Sequence, residues 1–326
     1  MALSEIQRIL IMPHEIENMA FTNEKPWHGL GIEVANNLSS EEMMIAAGCD
    51  WTVAKAAIFT HYSGVEILVE GSAALLRTSD NKVLDIVGED WEPLQNAEAF
   101  KFFKEFIDAG QMTMETAGSL KGGQLVWALA KVGKSFTLFG GDRVEAYLLF
   151  TNSHKYGLTI DVRFTPIRVV CNNTLTMALG GKGNYFKSSH RVVFDAAKAK
   201  ETLKIAEAKL DAYEAAAAFL GSKRYTEETV ADYFNQVFPV QVVKEKVEAK
   251  RKVSKNANLA QLALIHQPGV EFAPGSWWQA ANSISYVTDH LMGRTEEARV
   301  ENFWYGPVKD KKNQAFELAL EMAKKS

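Results

Sequence analysis

The segment ALAKVGKS, residues 128–135, contains the residue types of a phosphate-binding loop, G-x-x-x-x-G-K-[ST]. Gly133, Lys134 and Ser135 supply its second half, while Ala128 stands where the first glycine belongs. Such a loop binds phosphate only between a buried strand and a helix whose N-terminal N–H groups point at the anion. Here a β-like segment with two glycines, SFTLFGGD, follows instead of a helix. We therefore interpret residues 129–132 as continuing strand and VGKS as a hairpin turn with a surface lysine, and expect no nucleotide site.

Histidine and cysteine residues show no spacing typical of a catalytic or metal site. The seven histidines stand far apart, and the two cysteines are too few for a disulfide framework. His28 in PWHGLG and His290 in TDH are candidates for general acid–base chemistry, and Cys171 is a candidate nucleophile that would need a distant histidine. The sequence thus predicts no catalytic constellation, no metal site and no cofactor, and a binding protein is favoured over an enzyme.

Positive charge is concentrated in the middle third of the chain. Residues 111–192 hold 10 Lys or Arg against 4 Asp or Glu, whereas residues 1–110 hold 7 against 18. Cations that neutralise phosphates, together with rings that stack on bases, are what single-stranded DNA requires of a protein surface. The cations predicted to contact phosphates are Lys121, Lys131, Lys134, Arg143, Lys155, Arg163, Arg168, Lys182, Lys187 and Arg191. The rings predicted to stack on bases are Trp127 and Tyr185.

Three alternatives to DNA binding stay open. Each residue taken alone has a structural interpretation, with Trp127 in the core and the arginines paired with Asp161 or Glu145. The acidic first 110 residues favour a second function, in which they imitate a nucleic-acid backbone and occupy a host defence factor without enzymatic activity. A third is a hydrolase or nucleotide-modifying enzyme whose site the sequence does not display.

Composition and local patterns predict an α+β fold. The 326 residues are 47% hydrophobic and 23% charged, which is typical of globular proteins, and no apolar run reaches the roughly 18 residues of a membrane span. Helices are predicted after Ser39 and, with Asn96 as the cap, up to Gly110. Between Trp51 and Trp91 the short runs WTVAKAAIF, VEILV, AALLRT and KVLDIVG are predicted as separate strands, and an antiparallel meander is predicted from residue 112 to 164. After residue 192 helical periodicity dominates, including a seven-residue repeat from Ala199 to Leu220. Further helices are predicted after a Thr226 cap and, as one long basic helix, over residues 244–267. We predict an α+β domain with an antiparallel sheet at 1–192 and a helical domain at 193–326.

Four blocks of the chain resemble signature segments of the phage/plasmid-like family of unknown function. They are PWHGLG (26–31), residues 76–100, residues 152–179, and WWQAANSISYVTDH (277–290) followed by NFWYG (302–306). The resemblance implies an origin on a mobile element in the cytoplasm of a bacterial host, with no established activity. The order of a helix, strands from 112 to 164 and a helix near Asn173 also resembles phage single-strand annealing proteins at the level of fold. We therefore expect a homo-oligomeric DNA-metabolism protein that binds, and anneals, single-stranded DNA.

Overall fold

The computed structural model describes residues 16–23, 31–168, 173–174, 185–240, 254–292 and 307–326, with the backbone alone at 168, 173–174, 202–209 and 307–310. Eleven strands lie in this part of the chain: β1 Ile16–Phe21, β2 Ile32–Glu33, β3 Val53–Tyr62, β4 Val65–Arg77, β5 Lys82–Gly88, β6 Met112–Leu120, β7 Leu125–Leu138, β8 Asp142–Ser153, β9 Ile160–Arg168, β10 Asn173–Thr174 and β11 Tyr185–Ser188. Its α-helices are α1 Ser40–Ala46, α2 Asn96–Asp108, α3 Ala196–Ser222, α4 Glu227–Val237, α5 Lys255–His266, α6 Trp277–Tyr286 and α7 Pro307–Ala323. The predicted α+β class is confirmed.

The strands form two sheets. The larger has the order β10-β9-β8-β7-β6-β1-β2, with β11 also paired to β9, and the smaller has the order β3-β4-β5. Strands β6 to β9 are neighbours in chain order, as the predicted meander requires. The sheet is mixed because β2 runs parallel to β1, and β1 pairs antiparallel with β6 across about a hundred residues of sequence.

Two helices of the first part follow from local signals. Ser39 caps α1, since its hydroxyl accepts from the N–H of Glu42 and the Glu42 carboxylate accepts from the N–H of Ser39. In α2, Phe100 and Phe103 are buried in the core, as their helical spacing predicts. The expected Asn96 cap is wrong, because Gln95 holds the N-cap position and Asn96 is the first residue of α2.

Two of the predicted strand breaks are absent. The segments VEILV and AALLRT belong to one strand, β4, and residues 128–135 lie wholly inside β7. VGKS is therefore not a hairpin turn, because β7 continues through Gly133 and the chain reverses between Leu138 and Asp142. The conclusion that no helix follows this motif is confirmed.

The helices after residue 192 bury the residues that their patterns select. In α3, Leu210, Tyr213 and Leu220 of the seven-residue repeat are each at most 1% exposed. Thr226 caps α4, as expected. The predicted long basic helix does not run across Ser254, whose extended backbone forms the N-cap of α5. The prediction of a helix that begins near Asn173 is also wrong, because Asn173 lies in strand β10.

The chain divides into two compact units that are each discontinuous in sequence. The first comprises residues 1–133, 147–164 and 183–206, and the second comprises 134–146, 165–182 and 207–326. In the second unit α6 is almost fully buried and ends in a π-helical turn, Val287–Leu291. Asp289 of this turn accepts a 2.6 Å hydrogen bond from Lys312 of α7, and both side chains are buried. Among the described residues no helix is long and apolar enough to cross a membrane.

Candidate nucleic-acid interface

The outer edge of the large sheet brings together three of the residues predicted to bind DNA. Strand β11 pairs antiparallel with β9, so that Tyr185 lies opposite Arg163 and Lys187 lies opposite Asp161. Side chains directly opposite each other in an antiparallel pair stand on the same face of the sheet. We call Asp161, Arg163, Tyr185 and Lys187 the edge cluster.

Alternation along the two strands explains why this face is polar. On β11, Phe186 points to the core, where its ring packs edge-on against Phe194 at 5.9 Å between centroids. Its neighbours Tyr185 and Lys187 therefore stand on the opposite face. On β9, Ile160 and Val162 belong to the core, which leaves Asp161 and Arg163 on the opposite face of the sheet, the face that also carries Tyr185 and Lys187.

One carboxylate organises the charges of the edge cluster. Arg163 Nε donates to Asp161 Oδ1 at 2.6 Å, and Lys187 Nζ lies 3.9 Å from Asp161 Oδ2. Lys187 Nζ also lies 5.3 Å from the centre of the Tyr185 ring, within the range of a cation–π contact. The four residues carry two positive charges and one negative charge.

The members of the edge cluster differ in how far a ligand can reach them. Asp161 and Arg163 are 1% and 9% exposed, so they form a fixed, buried pair. Tyr185 is 39% exposed and the Lys187 side chain is 50% exposed. An external ligand can therefore reach one ring and one cation side by side, the combination on which a base stacks and to which its phosphate binds.

The other six predicted cations with described side chains either have carboxylate partners or are half-buried. Ion pairs join Arg191 to Asp90 at 3.0 Å, Arg143 to Glu145 at 2.8 Å and Lys134 to Asp211 at 2.7 Å. Half-buried positions are those of Lys121, Lys131 and Lys155. Lys134 and Arg143 belong to the second unit, and the other four to the first. Lys182 and the side chain of Arg168 lie outside the described residues.

Trp127 occupies the interior of the first unit. Only 3% of it is exposed, and it lies on β7 opposite Gly118 of β6. An external base cannot stack on a ring in this position, so Tyr185 is the member of the predicted aromatic pair that a ligand can reach. The charged and aromatic residues were found by composition, but their accessibility depends on tertiary contacts.

Of the three candidates for catalysis, His290 is the one that lies within the described residues. His290 is half-buried, with its ring 4.9 Å from that of Tyr286, while His28 and Cys171 lie outside the described residues. Within the ranges that the structure describes, no group of three or more His, Cys, Asp or Glu residues could hold a metal ion.

A buried polar network in the first unit was not predicted. Asn96 Nδ2 donates to the carbonyl oxygens of Cys49 and Trp51, so its Oδ1 is the acceptor for Asn152 Nδ2 at 3.2 Å and for His154 Nε2 at 3.0 Å. His154 must then carry its proton on Nε2, which leaves a bare Nδ1. This Nδ1 is buried and has no hydrogen-bond partner among the described residues.

His190 extends the network. Its Nδ1 donates to the carbonyl of Glu92 at 3.1 Å, so its Nε2 accepts from the hydroxyl of Ser153 at 3.2 Å. The imidazole also stacks on Trp91, with 4.0 Å between ring centroids. Both histidines are thus held in one neutral tautomer.

Burial keeps these histidines uncharged. Loss of solvation lowers the pKa of His154 to about 3, and the neighbouring His190 adds a smaller effect in the same direction. Burial also lowers the pKa of His190 to about 4, against the opposing hydrogen bond to Glu92. Since neither ring is more than 2% exposed, we assign the network to holding the fold rather than to acting on an external substrate. The sequence signal was the tripeptide Asn-Ser-His that begins the third resemblance block.

Comparison with known proteins places the chain in a family without assigning it an activity. No curated protein and no solved structure matches it significantly. A family model matches residues 83–314, a range that contains the edge cluster and most of the buried network. The chain therefore belongs to the DUF932 family, a domain of unknown function.

Proposed function

We propose that this protein binds single-stranded DNA through the edge cluster, in the DNA metabolism of a phage or plasmid. The observation that carries the proposal is the side-by-side exposure of Tyr185 and Lys187 on an edge strand, with the buried Arg163 beneath them in register. A tyrosine ring offers the same stacking face to every base, and a lysine beside it meets the phosphate of the stacked nucleotide. Binding of this kind is independent of sequence.

The fold is compatible with this role. Helix α2 followed by the four meander strands β6 to β9 agrees with the first part of the order of elements in phage annealing proteins, whereas β10 stands where their second helix was expected, near Asn173. The edge cluster lies on the last strand of this meander and on the strand paired with it. Annealing of complementary strands is the activity to test once binding is measured.

Fluorescence anisotropy with a labelled oligothymidylate at low salt tests the proposal. Tyr185→Ala should weaken binding by about 5- to 150-fold, the effect of losing about 1–3 kcal/mol of stacking. Lys187→Ala should weaken binding and reduce the slope of log K against log salt by about 0.7. Lys104→Ala removes the same charge from an exposed site on α2, with a side chain 62% exposed, and is the matched control.

Two results would refute the proposal. One is the absence of binding at low salt, which would favour the alternative that the acidic first 110 residues occupy a protein of the host. The other is an equal loss of affinity in Lys187→Ala and Lys104→Ala, which would mean that binding responds to net charge and not to the edge cluster.

A further inference from the structure

The hairpin of β3 and β4 carries a fully exposed tip. Strand β5 pairs only with Ser72–Arg77 of β4, so residues 59–68 form a two-stranded ribbon beyond the smaller sheet. All ten residues of this ribbon tip are exposed. The turn at its end is tight, since Ser63 and Gly64 both have positive φ, 50° and 81°, as a two-residue hairpin loop requires.

Half of the ribbon tip is apolar. The exposed fractions are 50% for Phe59, 74% for Tyr62, 59% for Val65, 45% for Ile67 and 51% for Leu68. These side chains lie on both faces of the ribbon. Phe59 and its partner Leu68 share one face, and Tyr62 and its partner Val65 share the other, because an odd number of positions separates Phe59 from Tyr62. A two-stranded ribbon is marginally stable alone in water, so side chains of this kind favour a partner that covers them.

The free edge of β3 shows where a partner can pair. The side-chain amide of Gln95 binds both the N–H and the carbonyl of Val53, so these backbone groups face away from β4. By the period of the strand, those of Lys55 and Ala57 face the same way. Among the described residues β3 pairs with no strand except β4, which leaves this edge open from Ala54 to Tyr62.

The composition of the edge favours a second copy of the chain as the partner. Residues 56–62, AAIFTHY, contain no Asp, Glu, Lys, Arg, Pro or Gly. Neutral segments of six or seven residues with high β propensity pair with themselves, because an antiparallel copy meets no like charge and no missing donor. A charged partner such as DNA finds no complement here, since Glu66 and Glu70 are the exposed charges of the adjacent strand.

We propose that two copies of this protein associate through antiparallel pairing of β3 with β3 of the second copy, about a two-fold axis near Phe59. The pairing joins two three-stranded sheets into one sheet of six strands. Edge pairing covers the side chains of β3 beside the axis, whereas the apolar residues of β4 lie one strand away, so the contact buries less than about 1,000 Å² in total and belongs to the weak, transient class of interfaces. Association is therefore expected to be reversible and dependent on concentration.

Analytical ultracentrifugation of the full chain over a range of concentrations tests the association. The wild type should pass from monomer to dimer, whereas Phe59→Lys, which places two like charges at the axis, should remain a monomer with unchanged circular dichroism. Ile86→Lys is the matched control, since Ile86 is 55% exposed on β5 of the same sheet but outside the pairing edge. A wild type that stays monomeric, or equal effects of the two lysines, would overturn the proposal.

Disulfide trapping tests the geometry. In the order β4-β3-β3-β4 the two β3 strands are neighbours, while the two β4 strands are about 14 Å apart, too far for a disulfide. Oxidation should link two copies of Phe59→Cys, which face each other at the axis, but not two copies of Glu70→Cys, with the wild type as background for Cys49 and Cys171. The reverse pattern would overturn the assigned edge, as would a wild-type monomer that co-sediments with phosphatidylcholine vesicles, which would make a lipid surface the partner.

Discussion

Lowering the pH from 8 to 5 tests the neutral state of the two buried histidines. In the unfolded chain an imidazole titrates near pH 6.5, whereas burial lowers the pKa of His154 to about 3 and of His190 to about 4. Between these values the unfolded state binds protons that the folded state does not, so the free energy of unfolding must fall as the pH falls.

The magnitude follows from the same pKa values. A pH of 5 is about 1.5 units below the pKa of each histidine in the unfolded chain and still above its pKa in the folded protein. Protonation of the unfolded state therefore lowers the free energy of unfolding by about 2 kcal/mol per ring. The two rings together should therefore lower the free energy of unfolding by about 4 kcal/mol between pH 8 and pH 5. The change is large against the 5–15 kcal/mol typical of folded proteins. The effect of Asp80, whose pKa is lowered to about 2 by its hydrogen bonds with Arg77, appears only at more acidic pH.

Urea unfolding followed by circular dichroism at pH 8, 7, 6 and 5 measures this dependence. His190→Gln retains a donor for the carbonyl of Glu92 and an acceptor for Ser153, and it should lose about half of the pH dependence whatever its stability at pH 8. His61→Gln, whose side chain is 73% exposed on β3, controls for the loss of an imidazole elsewhere. A wild-type stability that stays constant from pH 8 to 5, or a His190→Gln variant with the wild-type slope, would refute the assignment of neutral rings.

Two further predictions concern packing and buried charge. Gly118→Ala should lower the free energy of unfolding by about 1–3 kcal/mol, because its Cβ would lie 2.3 Å from Trp127 Cη2 and 2.5 Å from the carbonyl oxygen of Asn18. Gly133→Ala is the control: its Cβ would meet only the carbonyl oxygen of Gln111, at 3.7 Å, so the urea midpoint should stay nearly unchanged. Asp289→Asn should lower the free energy of unfolding by about 3–5 kcal/mol, because it leaves the buried Lys312 without its carboxylate. Asp108→Asn, at the exposed pair with Lys104, should have little effect on thermal unfolding, and similar effects of the two substitutions would contradict the assigned burial.

Features that depend on neighbours in sequence were predictable. The serine cap of α1, the threonine cap of α4 and the core phenylalanines of α2 each depend on residues within one or two helical turns. Gly133 was misleading because a glycine marks a turn only where the chain leaves its sheet, and here β7 continues past Val132, which pairs with Met112. Whether a strand continues is decided by its partners, which are distant in sequence.

The predicted DNA surface shows the same limit in terms of charge. The excess of cations in residues 111–192 is a property of the sequence, but Arg191 pairs with Asp90 and Lys134 pairs with Asp211, both outside that segment. Counting charges by region therefore overestimates the accessible positive charge. Lys187 of the edge cluster stays accessible, because the carboxylate opposite it, Asp161 of β9, binds Arg163 at 2.6 Å and lies 3.9 Å from Lys187.

The buried network also explains why the resemblance to a family indicates a shared fold but no activity. Asn152 and His154, from the block at 152–179, bind Asn96 from the block at 76–100, and Asn152 also binds the carbonyl of Leu94. These polar side chains use their hydrogen bonds on one another and hold α2 against the end of β8. Blocks of this kind specify a shared architecture, because a change in one member leaves a buried partner without its hydrogen bond. The activity must then depend on residues that reach solvent, and in the first unit Tyr185 and Lys187 place a ring and a cation there side by side.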